Sequence, residues 1–260
     1  MKLNKIMTFF CVGLPICAVL RIFQIVFTVE FKTGFYKAEF ALYGKLILAV
    51  IFGFCLLLWW FASRYYKSVE KPPKGNIMLS LSALAVAATV LIQSFSENML
   101  IYRFSWQPLI MKLGGISAAL YFAAFALNNY FSFKFPSVLH IIPCVFMILR
   151  TVFVFINISS LAHISDNILL IAAYCVLMLF FLNFAKLYNE MDTEKNFKKL
   201  LSSGLVSAIL CFTVSVPNFV INIASGNAYL HLSNITSLSL LVLGVFVSLF
   251  TVTHFYFNKD

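Results

Sequence analysis

The sequence predicts an all-α protein, a polytopic membrane bundle of eight transmembrane helices. Three observations point there. Of 260 residues, 62% are hydrophobic and only 11% are charged; soluble domains are about 45–50% apolar and about 25% charged. The apolar runs are continuous and roughly twenty residues long, the length a helix needs to cross hydrocarbon. Polar clusters bound such runs at eight places. Lipid offers the backbone no hydrogen-bond partners, so only helices or closed barrels span it. Barrel strands would alternate apolar and polar residues in segments of roughly ten, which this chain does not do.

The first span, 7–28, follows Lys2 and Lys5. A basic start before an apolar run also describes a signal peptide. No small-x-small cleavage pattern stands at a suitable distance, however, and the run continues through Arg21, so it reads as a membrane helix. The remaining spans are 40–62, 77–95, 108–127, 138–158, 167–185, 200–223 and 235–257. Each covers a hydrocarbon core of about 30 Å at about 1.5 Å per residue. The longest connections, 63–76 and 186–199, are basic and too short to fold alone, so function must be built from helices and short loops.

Lys and Arg set the orientation. With the N-terminus inside, twelve of the nineteen fall in cytoplasmic segments: Lys2, Lys5, Arg64, Lys67, Lys71, Lys74, Lys134, Lys186, Lys195, Lys198, Lys199 and Lys259. Only Lys32, Lys37 and Arg103 fall outside, and Arg21, Lys45, Lys112 and Arg150 fall within spans. This bias predicts that both termini are cytoplasmic. It also accounts for the net charge of +10 without nucleic acid as a partner. Trp59, Trp60 and Trp106 take the interfacial positions of an aromatic belt.

The two halves, 1–132 and 133–260, share a layout: two spans, a long basic inner loop, two more spans. Local matches follow it, with Leu20-Arg21 against Leu149-Arg150, Phe61-Ala62 against Phe184-Ala185, Ser82-Ala83 against Ser207-Ala208, and Tyr130-Phe131 against Tyr256-Phe257. An even number of spans per half makes this a 4+4 parallel repeat, a build that some transporters use with the substrate between the repeats.

Polar residues inside the spans are the candidate site. A charge near mid-membrane costs about 2.5–3.5 kcal/mol on insertion scales, so it has a partner or a role. Arg21 and Arg150 lie at matching depths in the outer half, with Gln24 one turn after Arg21. Two readings stand. The arginines pair structurally with Glu30, Glu97 or helix-end carbonyls, or they attract an anionic ligand or headgroup through the planar guanidinium fork. Lys45 and Lys112 lie close enough to the outer ends to snorkel. Gln93 in span three and Asn218 in span seven add hydrogen-bonding groups. Pro217 removes a backbone donor and reads first as a packing kink, with a local break that lines a site as the alternative. Small faces (Ser82, Ala83 and Ala87; Ser203, Gly204, Ser207 and Ala208), with Gly114-Gly115, read as close-packing surfaces. The carboxylates are expected in loops or at span ends, with Glu97 and Asp166 nearest the membrane on the outer side.

Other chemistry is missing from the sequence. The six cysteines sit in apolar runs without C-x-x-C, and the four histidines are scattered, so no metal or cofactor is expected. No nucleophile elbow, phosphate loop or zinc-protease motif occurs, so the chain is not read as an enzyme. Asn157-Ile158-Ser159 and Asn234-Ile235-Thr236 match the short glycosylation pattern.

The stretch Arg21-x-x-Gln24, Glu30 and Thr33-Gly34-Phe35-Tyr36 resembles the start of small uncharacterised multi-pass membrane proteins of clostridial and related Firmicutes bacteria. The resemblance implies a bacterial origin and a tight first outer loop, and no mechanism. The partners expected are the bilayer, anionic headgroups at the cytoplasmic face, a small-molecule ligand and a membrane-protein partner. Two functions follow. One is transporter-like binding or translocation of a small anionic or amphipathic molecule or lipid. There the site is Arg21, Gln24, Gln93, Arg150 and Asn218. The other is a non-transporting subunit or sensor that scaffolds a partner.

Overall fold

A computed structural model of the chain describes residues 3–30, 33–64, 76–96, 106–131, 136–157, 164–189, 191, 193–224 and 232–257. Of the charges that set the predicted orientation, Lys2, Lys32, Lys67, Lys71, Lys74, Arg103, Lys134 and Lys259 lie outside these residues, as does Glu97. The described residues form eight helices long and apolar enough to cross a membrane. They are α1 (Leu3–Thr28), α2 (Ala41–Ser63), α3 (Ile77–Ser96), α4 (Gln107–Phe131), α5 (Ile142–Asn157), α6 (Ile164–Tyr188), α7 (Thr193–Ala224) and α8 (Asn234–Val252). A 3₁₀ turn, Ser137–Ile141, leads into α5, and a π-helical turn, Thr253–Phe257, ends α8.

The helices run past several boundaries read from hydropathy. α6 continues to Tyr188 and α7 begins at Thr193. The connection expected over 186–199 therefore shrinks to 189–192, and Lys195, Lys198 and Lys199 stand on a helix. Hydropathy marks where lipid begins, whereas backbone hydrogen bonding carries a helix on into polar sequence. α6 likewise begins at Ile164, three residues before the expected start, which draws Asp166 into its first turn. Pro217 does not interrupt α7. Proline removes the N–H that would reach the Thr213 carbonyl. Around it the side chains of Thr213, Ser215 and Asn218 each donate to a carbonyl four residues back, at 2.7, 2.7 and 2.8 Å.

α7 is the most buried helix and α2 the least. α7 packs against α1, α2, α6 and α8; α3 packs against α4 and α8; α5 packs against α4 and α6. Successive helices pack as hairpins in α1–α2, α3–α4, α5–α6 and α7–α8, and α6–α7 also packs closely, whereas α2–α3 does not. Phenylalanine builds the centre. Phe122, Phe125, Phe181, Phe184, Phe246 and Phe250 from α4, α6 and α8 meet with ring centroids 4.9–6.5 Å apart, mostly edge to face, the geometry aromatic quadrupoles favour. Gly204 lies against Thr251 and Phe180, and Gly115 against Ser94 and Phe146, as expected of close-packing faces; Gly244, which the sequence did not single out, lies against Cys211.

Between α1 and α2 the chain turns tightly. Gly34 takes φ 71°, the left-handed region glycine tolerates. Val29 and Tyr36 form an antiparallel bridge, the Lys37 N–H donates to the Thr28 carbonyl at 2.9 Å, and the Gly34 N–H donates to the Glu30 carbonyl at 2.8 Å. This is the tight first loop that the Thr-Gly-aromatic motif implies, and it returns Tyr36 toward α1.

Candidate functional site

Buried polar groups gather at the end of the bundle where α1 and α7 finish and α6 and α8 begin. Arg21 on α1 is 1% exposed. Its Nη1 donates to Gln24 Oε1, and its Nη2 donates to Asp166 Oδ1 and, at 3.3 Å, to Ser165 Oγ. Asp166 is 4% exposed and ion-paired with Arg21. It sits in the first turn of α6, where the helix dipole also favours a carboxylate. Gln24 is fully buried, and its Nε2 donates to the Gly44 carbonyl at 2.5 Å and to the Tyr36 hydroxyl at 3.2 Å. Gly44 has to be glycine: a Cβ there would run into the Tyr36 ring and lie 2.9 Å from Thr28 Oγ1.

The sequence candidates for pairing with Arg21 were Glu30 and Glu97. The Glu30 carboxylate instead accepts from Thr33 Oγ1 at 2.7 Å in the exposed turn, and Glu97 lies outside the described residues. Glu30 stands beyond the end of α1, whereas Asp166 arrives on a facing helix at the depth of Arg21. The cluster thus holds a membrane-depth carboxylate that the sequence reading left at the edge of a span.

The second group lies along α8. Gln93 at the end of α3 is 2% exposed, and its Nε2 donates to Thr236 Oγ1 at 3.2 Å. Thr236 also sits 2.8 Å from Ser233 Oγ, which caps α8 by accepting the Thr236 N–H at 3.1 Å. Asn222 Nδ2 on α7 donates to Asn234 Oδ1 at 3.1 Å. α7 and α8 run antiparallel, with Gly204 facing Thr251 and Cys211 facing Gly244. The register that joins Asn222 to Asn234 therefore sets Asn218 across from Ser237, one turn deeper. Asn218 and Asn222 are each 2% exposed and Ser237 is fully buried. Among the described residues, Asn218 Oδ1, Asn222 Oδ1 and Ser237 Oγ have no hydrogen-bond partner.

Both groups lie at one level. Ile25 of α1 and Val29 just beyond its end pack against Ile221 of α7. One turn back along these parallel helices stand Arg21 and Pro217-Asn218. Arg150 takes a different place. It is 6% exposed on α5, with its guanidinium 5.5 Å from the centroid of the Phe146 ring one turn earlier, a cation–π arrangement.

Of the five sequence candidates, Arg21 and Gln24 bond directly, Gln93 and Asn218 both flank α8, and Arg150 lies on α5. Ser165, Asp166, Tyr36 and Gly44, and Asn222, Asn234 and Ser237, were missed. Asn222 carried a signal, four residues after Asn218 on the same helical face. The partners brought in by Asp166 and Tyr36 carried none, because they depend on which helices become neighbours. Among the described residues no group of histidine, cysteine and carboxylate side chains could hold a metal ion.

Eight apolar helices around a buried polar belt define an integral, multi-pass membrane protein. No known family, curated protein or solved structure matches the chain, so the belt is read from its own chemistry.

Proposed function

We propose that the protein is a transporter-like component of a bacterial cytoplasmic membrane that binds the polar group of a small amphipathic molecule or lipid in this belt. One observation carries the reading. Three polar atoms on facing turns of α7 and α8, Asn218 Oδ1, Asn222 Oδ1 and Ser237 Oγ, are buried without partners among the described residues. Buried polar groups are nearly always satisfied, and an unmet one costs about 1–3 kcal/mol, so the seam calls for a guest. The positive-inside bias puts the belt in the outer half of the membrane with both termini cytoplasmic. The matching hairpins of the two halves support the 4+4 repeat, and α1–α7, α2–α7, α3–α8 and α4–α5 are then the contacts between repeats. Asp166 matches the charge of Arg21, which favours an amphipathic ligand over a purely anionic one there.

Native mass spectrometry of the full chain, released from detergent, tests the reading. It predicts a retained species of defined mass that Asn218→Leu and Ser237→Ala lose. Identical spectra for wild type and both variants, with annular lipid alone, would contradict it.

A second reading, a scaffold for a partner membrane protein, is supported by α2. This least buried helix turns Leu46, Val50, Leu57 and Trp60 outward. A stoichiometric copurifying partner that leaves on substitution of this face, with no ligand in the belt, would favour it.

A further inference from the structure

The chemical class of the guest follows from which atoms are left over, an argument that rests on the binding reading above. Asn218 settles its own amide orientation. Its Nδ2 donates to the Val214 carbonyl at 2.8 Å. A carbonyl accepts and cannot donate, so the nitrogen must face it and the free atom is the oxygen. Asn222 pairs its amide with that of Asn234, a bond that survives if both amides turn, so Asn218 is the one amide here whose free atom is fixed as an oxygen.

Ser237 differs from its neighbours. Ser203, Ser207, Thr213, Ser215 and Thr251 each donate a hydroxyl to a carbonyl one turn back on their own helix. The Ser237 hydroxyl has no such partner. Below this level Pro217 has no N–H to give to the Thr213 carbonyl. The leftover set is therefore one amide oxygen of fixed orientation, a helix carbonyl deprived of its usual donor, and one hydroxyl that can accept or donate. Arg21 at this level is paired with Asp166. The two fixed groups of the seam are both acceptors.

We infer that the α7–α8 seam binds a head group rich in N–H or O–H donors, a primary ammonium or an alcohol, and discriminates against carboxylates and quaternary ammonium groups. A carboxylate would set its oxygens against the Asn218 oxygen and the Thr213 carbonyl. A quaternary ammonium would desolvate those oxygens and return no hydrogen bond.

Four probes with one tail separate the classes: dodecylamine, dodecanol, dodecyltrimethylammonium and dodecanoate. Each is added to the full chain in detergent micelles, and thermal unfolding is followed for wild type, Asn218→Leu and Ser237→Ala. Dodecylamine or dodecanol, at tenfold its dissociation constant, is expected to raise the wild-type Tm by about 3–5 °C. The shift is lost in Asn218→Leu and reduced in Ser237→Ala, which adds no volume and keeps the test open if the leucine variant does not fold. An equal Asn218-dependent shift from dodecanoate or dodecyltrimethylammonium overturns the assignment of class while leaving a ligand site standing. No Asn218-dependent shift from either donor probe also overturns it, and the retained-mass experiment then decides separately whether the belt binds anything.

Discussion

An arginine buried among apolar helices needs a counter-charge, and Asp166 supplies it. Removing one partner of such a pair strands the other and costs about 3–5 kcal/mol, whereas replacing both with apolar residues of similar size is often neutral or stabilising. Asp166→Asn and Arg21→Met are thus each expected to destabilise strongly, and Arg21→Met with Asp166→Leu to recover most of the loss. A double-mutant cycle on thermal unfolding checks this, and additive losses would mean the two side chains do not meet. Gly44→Ala is a second case. Its Cβ would meet the Tyr36 ring, and overpacking of this kind costs about 1–3 kcal/mol. Trimming the ring in Tyr36→Leu should rescue it, and failure to rescue would place the strain elsewhere. His254 makes the opposite prediction. It is fully buried between Phe197 and Phe250, ring centroids 5.6 and 5.7 Å away, with neither ring nitrogen bonded. His254→Phe removes two unmet polar atoms and should raise Tm; a drop would mean that the imidazole has a partner in the membrane.

Helices were legible in the sequence because apolar length alone reports a membrane span, and all eight expected spans correspond to helices in the structure. Their ends were less so. The polar residues that carry α6 to Tyr188 and start α7 at Thr193 look like loop to a hydropathy reading. Arg21 and Gln24 stood out as polar groups at a costly depth, but which carboxylate would answer Arg21 depended on α1 and α6 becoming neighbours, a contact between residues 145 apart in sequence. Helix packing in lipid relies on small residues that let backbones approach, and the glycines make this testable. A Cβ on Gly244 would lie 2.9 Å from the Cys211 Cβ, whereas one on Gly53 of α2 would meet nothing within 4 Å. Gly244→Ala should lower the unfolding temperature, and Gly53→Ala should leave it unchanged or raise it slightly through helix propensity. The reverse order would contradict the assigned faces of α8 and α2.

At the scale of the whole molecule, α7 sits among α1, α2, α6 and α8 and brings Asn218 to the level of the Arg21–Asp166 pair. An even number of spans keeps both termini on one side of the membrane, and under the proposed orientation that side is the cytoplasm, on the Lys and Arg bias. Reporter fusions at Lys5 and after Phe257 should both read cytoplasmic; opposite sides would require an odd number of crossings. The belt is the claim on which the functional account depends. The most direct test is an experimental structure of the full chain in lipid nanodiscs, at a resolution that separates side chains from bound molecules. The account predicts non-protein density between α7 and α8 within hydrogen-bond reach of Asn218 Oδ1 and Ser237 Oγ. A dry, closed seam in which those atoms bond only to protein groups would contradict it.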